Sequence, residues 1–169
     1  MRADLNIVGG TLVIPGSGLT RAGVSIHRGK ILSVALEKAL PPARETFEAS
    51  GLHVFPGVMD PHVHLGFSGS FANDCRTESL SALSAGTTTL SALLREPGSY
   101  LKSFSDFRKD AQANSYTDMV FSLRLGEERQ VEEIPEYVDR LGVTGFKCCQ
   151  YGLPGIVEAE DDGLMFMAM

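Results

Sequence analysis

The chain has 169 residues, 43% of them hydrophobic and 21% charged, the balance of a soluble globular protein of one domain or two small ones, not of a disordered, collagenous or coiled-coil chain. Fifteen Lys plus Arg against 21 Asp plus Glu give a formal net charge of -6, which argues against a sequence-independent grip on nucleic acid. No run approaches the roughly 20 apolar residues of a membrane span, no export signal is readable, and three cysteines, with Cys148 and Cys149 adjacent, suit reduced thiols in a cytoplasm better than a disulfide framework.

Short strands open the chain. Asp4 to Val8 and Thr11 to Ile14 are apolar-rich runs split by Gly9-Gly10. Val24 to His27 and Ile31 to Leu36 flank Arg28-Gly29-Lys30 as a hairpin, with the period-2 alternation of a half-buried sheet. Pro41-Pro42 and the charged stretch to Glu48 break the pattern, and Leu52 to Phe55 resumes it. A boundary at Pro56-Gly57 gives a small β-sandwich-like domain over 1–56 and a second domain over 57–169.

Strand-like and helix-like segments then alternate. Val58 to Leu65 reads as a strand, Asp74 to Ala85 as a helix stopped by Gly86, and Thr87 to Leu94 as a strand rich in β-branched threonine. Tyr100 to Asn114 reads as a helix, Met119 to Leu125 as a strand, Glu127 to Leu141 as a helix stopped by Gly142, and Val143 to Cys148 as a fourth strand. Asp161-Asp162 is placed to cap a further helix running to Met169. Four strand–helix repeats predict parallel β/α architecture. A closed (β/α)8 barrel needs about 250 residues, so the length leaves an open doubly wound sheet or four units of an incomplete TIM-type barrel.

Asp60-Pro61-His62-Val63-His64 closes the first of these strands. Residues two apart on a strand share a face, so His62 and His64 present two imidazoles in one direction, as two ligands of one metal require. In parallel β/α folds functional groups gather at the carboxyl ends of strands. The pair alone leaves open that the rings only satisfy local hydrogen bonds. Lys147 ends the fourth strand, where a solvated ammonium is the ordinary outcome. In a desolvated site beside a metal its amine instead becomes neutral enough to act as a nucleophile or to take up carbon dioxide as a carbamate.

Together Phe55-Pro-Gly-Val-Met-Asp-Pro-His-Val-His-Leu65, Ser84-Ala-Gly-Thr-Thr-Thr-Leu90 and Gly142-Val-Thr-Gly-Phe-Lys147 resemble the cyclic amidohydrolase branch of the amidohydrolase superfamily, which includes dihydropyrimidinases, hydantoinases, allantoinases and dihydroorotases. The resemblance runs from about Leu5 to Tyr151 and places the chain at the amino-terminal portion of such an enzyme. It implies a metal-dependent hydrolase that cleaves a C–N bond of a small cyclic amide or ureide. It implies a binuclear divalent-metal centre, zinc foremost, with His62 and His64 as ligands of one metal, Lys147 carbamylated and bridging both, and Asp60 in support. It further implies a homo-oligomer in the complete protein.

The departures matter equally. The family takes two further histidines and a general-base aspartate from later strands, whereas His27, His53, His62 and His64 all lie in the first 64 residues. No catalytic residue is therefore assigned, the general base is expected to be absent from this chain, and the chain alone is expected to be inactive. Dihydroorotases carry a carboxylate-binding arginine where Gly66 stands, which argues against dihydroorotate. Tyr151 is a candidate substrate contact, with packing beneath a loop as its alternative. Cys148 and Cys149, pointing to opposite faces, suit neither a zinc cage nor a nucleophile. A non-catalytic scaffold of the same fold, or a truncated inactive homologue, is the competing reading.

Overall fold

The computed structural model describes residues 2–67, 69–150, 152 and 162–169, which fall into two units, Met1–Pro56 and Gly57–Met169. In the first, seven strands follow in chain order: β1 (Ala3–Val8), β2 (Thr11–Ile14), β3 (Gly18–Arg21), β4 (Gly23–His27), β5 (Lys30–Ala35), β6 (Ala43–Glu48) and β7 (His53–Val54). They make a four-stranded sheet in the order β5-β4-β1-β6 and a three-stranded sheet in the order β3-β2-β7. The expected hairpin is β4–β5, and its turn puts Arg28 at φ 50° and Gly29 at φ 71°, the left-handed pair that suits the twist of antiparallel strands. Leu12 and Ile14 from one sheet meet Val24, Ile26 and Ile7 from the other in a small apolar cluster.

Two strands here depart from the sequence reading. Gly18–Arg21 forms β3, antiparallel to β2, and the charged stretch after Pro41-Pro42 is not a break but strand β6, parallel to β1 in the register Ala3↔Ala43 to Val8↔Glu48. The reason is tertiary. Asn6 Nδ2 donates to the Pro41 carbonyl at 2.9 Å and Ala3 N to the Pro42 carbonyl at 2.9 Å, so the chain leaves the prolines already alongside β1. An edge strand then needs backbone pairing and little apolar side chain.

The second unit alternates as expected: β8 (Val58–Val63), α1 (Phe71–Ser84), β9 (Thr87–Leu94), α2 (Tyr100–Asn114), β10 (Asp118–Arg124), α3 (Glu128–Glu132), α4 (Ile134–Glu136), a π-helical turn (Tyr137–Leu141), β11 (Gly145–Lys147) and α5 (Asp162–Met167). The sheet order is β11-β10-β9-β8, and every neighbouring pair is parallel. The helix expected over Glu127–Leu141 is interrupted. Pro135, which has no N–H and crowds the preceding turn, sits at the start of α4, and the last turn widens to π before Gly142 closes it at φ 72°. Helix α1 begins earlier than expected, because Ser70 Oγ caps it by accepting from Asn73 N at 3.2 Å.

The core lies on one face of this sheet. Phe71 and Cys75 of α1, Tyr100, Phe104 and Ala111 of α2, and Tyr137 pack against Ala92 and Leu94 of β9 and Leu123 of β10. Strand alternation then assigns the other face. With Val63, Met119, Phe121 and Phe146 turned toward the helices, His62, Val120, Ser122 and Lys147 belong to the opposite side, where Val120 is 41% exposed.

Candidate functional site

His62 lies within β8 and His64 one residue past its end, while Lys147 is the last residue of β11. These strands are the two edges of the sheet, three strand spacings apart, or about 14 Å if the sheet were flat. Yet Lys147 Nζ lies 3.1 Å from His62 Nε2. Only a sheet curled toward this face, with the lysine side chain spanning what remains, allows that contact. His62 Nε2 and His64 Nε2 are 2.8 Å apart, their rings crossed at 78°.

Three nitrogens therefore converge at the carboxyl end of the strands. Two nitrogens on one tetrahedral zinc, each at 2.0–2.1 Å, stand about 3.3 Å apart, so the imidazoles need to separate by only about 0.5 Å to share an ion. Burial, and then the neighbouring His62 and Lys147, hold the His64 pKa below the ordinary imidazole value. That favours the neutral ring a metal requires. Asp60 Oδ1 accepts from His62 N at 3.0 Å and fixes the backbone between the two. Among the described residues no group of three or more His, Cys, Asp and Glu is placed to hold an ion.

The loop after His64 is tied down by residues the sequence reading did not single out. Gly66 N donates to Asp74 Oδ2 at 2.8 Å, and the Phe67 ring centroid lies 4.6 Å from that of His64. Gly66 itself stands at φ 79°, a conformation that strains any residue with a Cβ. Beside it Leu65, Phe67, Phe71, Leu94 and Phe107 line an opening of about 370 Å³. Gln130, buried in a strongly acidic stretch, fastens the next loops: its Nε2 donates to the carbonyls of Glu96 and Gly98 at 2.9 and 2.7 Å, and its Oε1 accepts from Gly126 N at 2.8 Å. The two Gln130 bonds to Glu96 and Gly98 join residues 34 and 32 apart, and no local pattern announces them. Tyr151 and Asp161 lie outside the described residues. Cys148 and Cys149 are both partly exposed and form no disulfide.

No protein-family profile matches the chain. It is 37% identical over 175 residues to the allantoinase of Desulfitobacterium hafniense, covering 94% of this chain and 36% of that protein. It is 29% identical over 151 residues to the D-hydantoinase of Ralstonia pickettii, covering 85% of this chain and 32% of that protein. Among solved structures, the L-hydantoinase (dihydropyrimidinase) of Arthrobacter aurescens superposes with a TM-score of 0.83 at 27% identity, over 98% of this chain and 37% of that one. The chain belongs to the cyclic amidohydrolase branch of the amidohydrolase superfamily. It spans about a third of the length of these cyclic amidohydrolases, and its curled parallel sheet is a half-barrel matching that part of the hydantoinase fold. Among the described residues no helix is long and apolar enough to cross a membrane.

Proposed function

We propose that the chain carries part of the active site of a metal-dependent hydrolase acting on cyclic amides or ureides, in the manner of hydantoinases and dihydropyrimidinases. The observation that supports this most is the convergence of His62, His64 and Lys147 from opposite edges of the sheet. A scaffold has no physical need to bring an amine and two imidazoles within hydrogen-bond distance at the one end of the fold where parallel β/α proteins place their chemistry.

His62 and His64 would hold a divalent metal, zinc by the nitrogen character of the donors, with Asp60 fixing the His62 backbone. Such an ion lowers the pKa of bound water from 15.7 to about 7 and polarises a carbonyl oxygen. With a metal bound, Lys147 would serve as a carbamate, its amine having taken up carbon dioxide with loss of a proton, and would supply oxygen donors beside the two histidines. Phe67 shields the His64 ring on its outer side, and the backbone clamp from Asp74 keeps that shield in place. Three cysteines outside any disulfide fit a cytoplasmic setting, and the complete enzyme is a homo-oligomer.

The absence of a further ligand group among the described residues supports a second statement: these 169 residues alone do not turn substrate over. Elemental analysis of the purified chain beside His62→Ala and Lys147→Ala, with hydantoin and dihydrouracil hydrolysis assayed on the same samples, tests both. We expect zinc in the parent chain, its loss in His62→Ala, its reduction in Lys147→Ala, and no turnover in any sample. Metal retained undiminished in His62→Ala overturns the metal site, and turnover by the parent chain overturns the second statement.

A further inference from the structure

The sheet-facing stripe of α2 contains a cation. Phe104 and Ala111 of that helix are buried in the core, and Arg108, four residues after the first and three before the second, shares their face. It overhangs β10, whose Met119 and Phe121 pack toward the helices. Two adjoining cavities open there. The walls of the first, of about 330 Å³, include Phe104, Leu141, Val143 and Thr144; those of the second, of about 400 Å³, include Gln112, Thr117 and Asp118; and Arg108, Met119 and Phe121 line both. They lie at the amino ends of β10 and β11, opposite to the end at which Lys147 meets the histidines. The guanidinium there is uncommitted. Lys109 takes the neighbouring Asp106 carboxylate at 3.1 Å, the helix positions three and four away hold Phe104, Ser105, Ala111 and Gln112, none of them acidic, and among the described residues Arg108 has no hydrogen-bond or ion-pair partner.

We propose that this groove is a second ligand site, which takes a small monocarboxylate with an apolar or aromatic body: Arg108 receives the carboxylate, and the body lies in the first cavity between Phe104, Phe121, Leu141 and Val143. The proposal is independent of the functional reading above, since it uses none of the residues at the other end of the sheet. Cavities of this size, mostly apolar with one or two placed polar groups, are of the kind that holds small molecules. A guanidinium forks onto a carboxylate with two parallel hydrogen bonds, and the Gln112 amide, one turn further along the same face, adds a donor at the junction of the two cavities. The Asp118 carboxylate in the wall of the second cavity repels further negative charge, which selects a monoanion over a phosphate dianion. In a chain with a formal net charge of -6, an anion gains a foothold only beside a local cation of this kind.

The metal-free 169-residue chain is titrated by calorimetry with phenylacetate and with its neutral analogue phenylacetamide, beside Arg108→Gln, Asp118→Asn, Thr144→Trp and Lys147→Ala. The parent chain is expected to hold phenylacetate at least about tenfold more tightly than the amide. Arg108→Gln is expected to remove that preference, and Asp118→Asn to tighten phenylacetate about twofold or more by deleting a nearby negative charge. Thr144→Trp, at an exposed position in the wall of the first cavity, is expected to weaken both probes by filling the space their rings need, and Lys147→Ala to bind phenylacetate as the parent does. A preference that survives in Arg108→Gln overturns the proposal. Loss of phenylacetate binding in Lys147→Ala assigns the carboxylate to the other end of the sheet and overturns it too. Failure of the parent chain to bind phenylacetate does the same, and leaves Arg108 as a side chain whose stem covers apolar surface while its head stays in water.

Discussion

Gln130→Ala tests whether the rim of the candidate site is held by a single side chain. The Gln130 amide is 1% exposed and makes three hydrogen bonds, at 2.9, 2.7 and 2.8 Å, to the loop after β9 and the loop after β10. A neutral hydrogen bond contributes about 1 kcal/mol net, and the carbonyls and amide left behind are only partly reached by water, so truncation is expected to destabilise the second unit by about 3 kcal/mol. Gln130→Glu keeps the acceptor for Gly126 N but sets a carboxylate oxygen against two carbonyls, and at neutral pH it is expected to cost at least as much. The readout comes without labelling. The chain has no tryptophan and four tyrosines, all in the second unit, so tyrosine fluorescence in a urea titration follows that unit alone. With a slope of about 2 kcal/mol per molar urea, the midpoint should fall by about 1.5 M. A loss below about 1 kcal/mol in Gln130→Ala would refute the clamp and return the stability of these loops to the tyrosines behind them.

Three other outcomes follow from particular contacts. Burial raises the Glu133 pKa, but hydrogen bonds from Ser99, Tyr137 and Arg129 outweigh it and bring the carboxyl down from 4.5 to about 2. Its contribution to stability is therefore complete above about pH 4.5 and lost as pH falls toward 2. Acid titrations of Glu133→Gln and the parent should differ above that window and converge below it, and parallel curves would sink the assignment. Burial, then the Asp110 and Asp74 carboxylates, push the Cys75 thiol up to about 11, so at pH 8 a disulfide reagent should leave Cys75 unmodified until the chain unfolds; rapid labelling of Cys75 in the native chain counts against the core as described. Ser70→Ala removes the cap on α1 and should lower stability by about 1 kcal/mol, a change the same urea titration reads; no shift would mean water replaces the cap.

What could be read along the chain follows how local each signal is. The β4–β5 hairpin carries both its alternation and its turn in thirteen consecutive residues, and the β/α alternation after Gly57 repeats its own glycine stops. Strand β6 could not be read, because Arg44, Glu45 and Glu48 on an edge pair through backbone atoms whose partner is forty residues away. The break at Pro135 is local, since a proline inside a helical pattern removes a hydrogen bond, whereas Val131, Ile134, Val138 and Leu141 keep a helical spacing across it.

The sequence by itself determined which residues are eligible for chemistry: His62 and His64 share a face because strand residues alternate, and Lys147 ends a strand because Val143 to Cys148 is strand-like. It could not determine that they meet. They are 85 residues apart, on strands that become opposite edges of one sheet, and their 3.1 Å contact exists only because that sheet is curled. Periodicity is a property of neighbours in sequence. Curvature and register arise from packing between elements, where helices pressing on one face of the sheet set what the other face brings together.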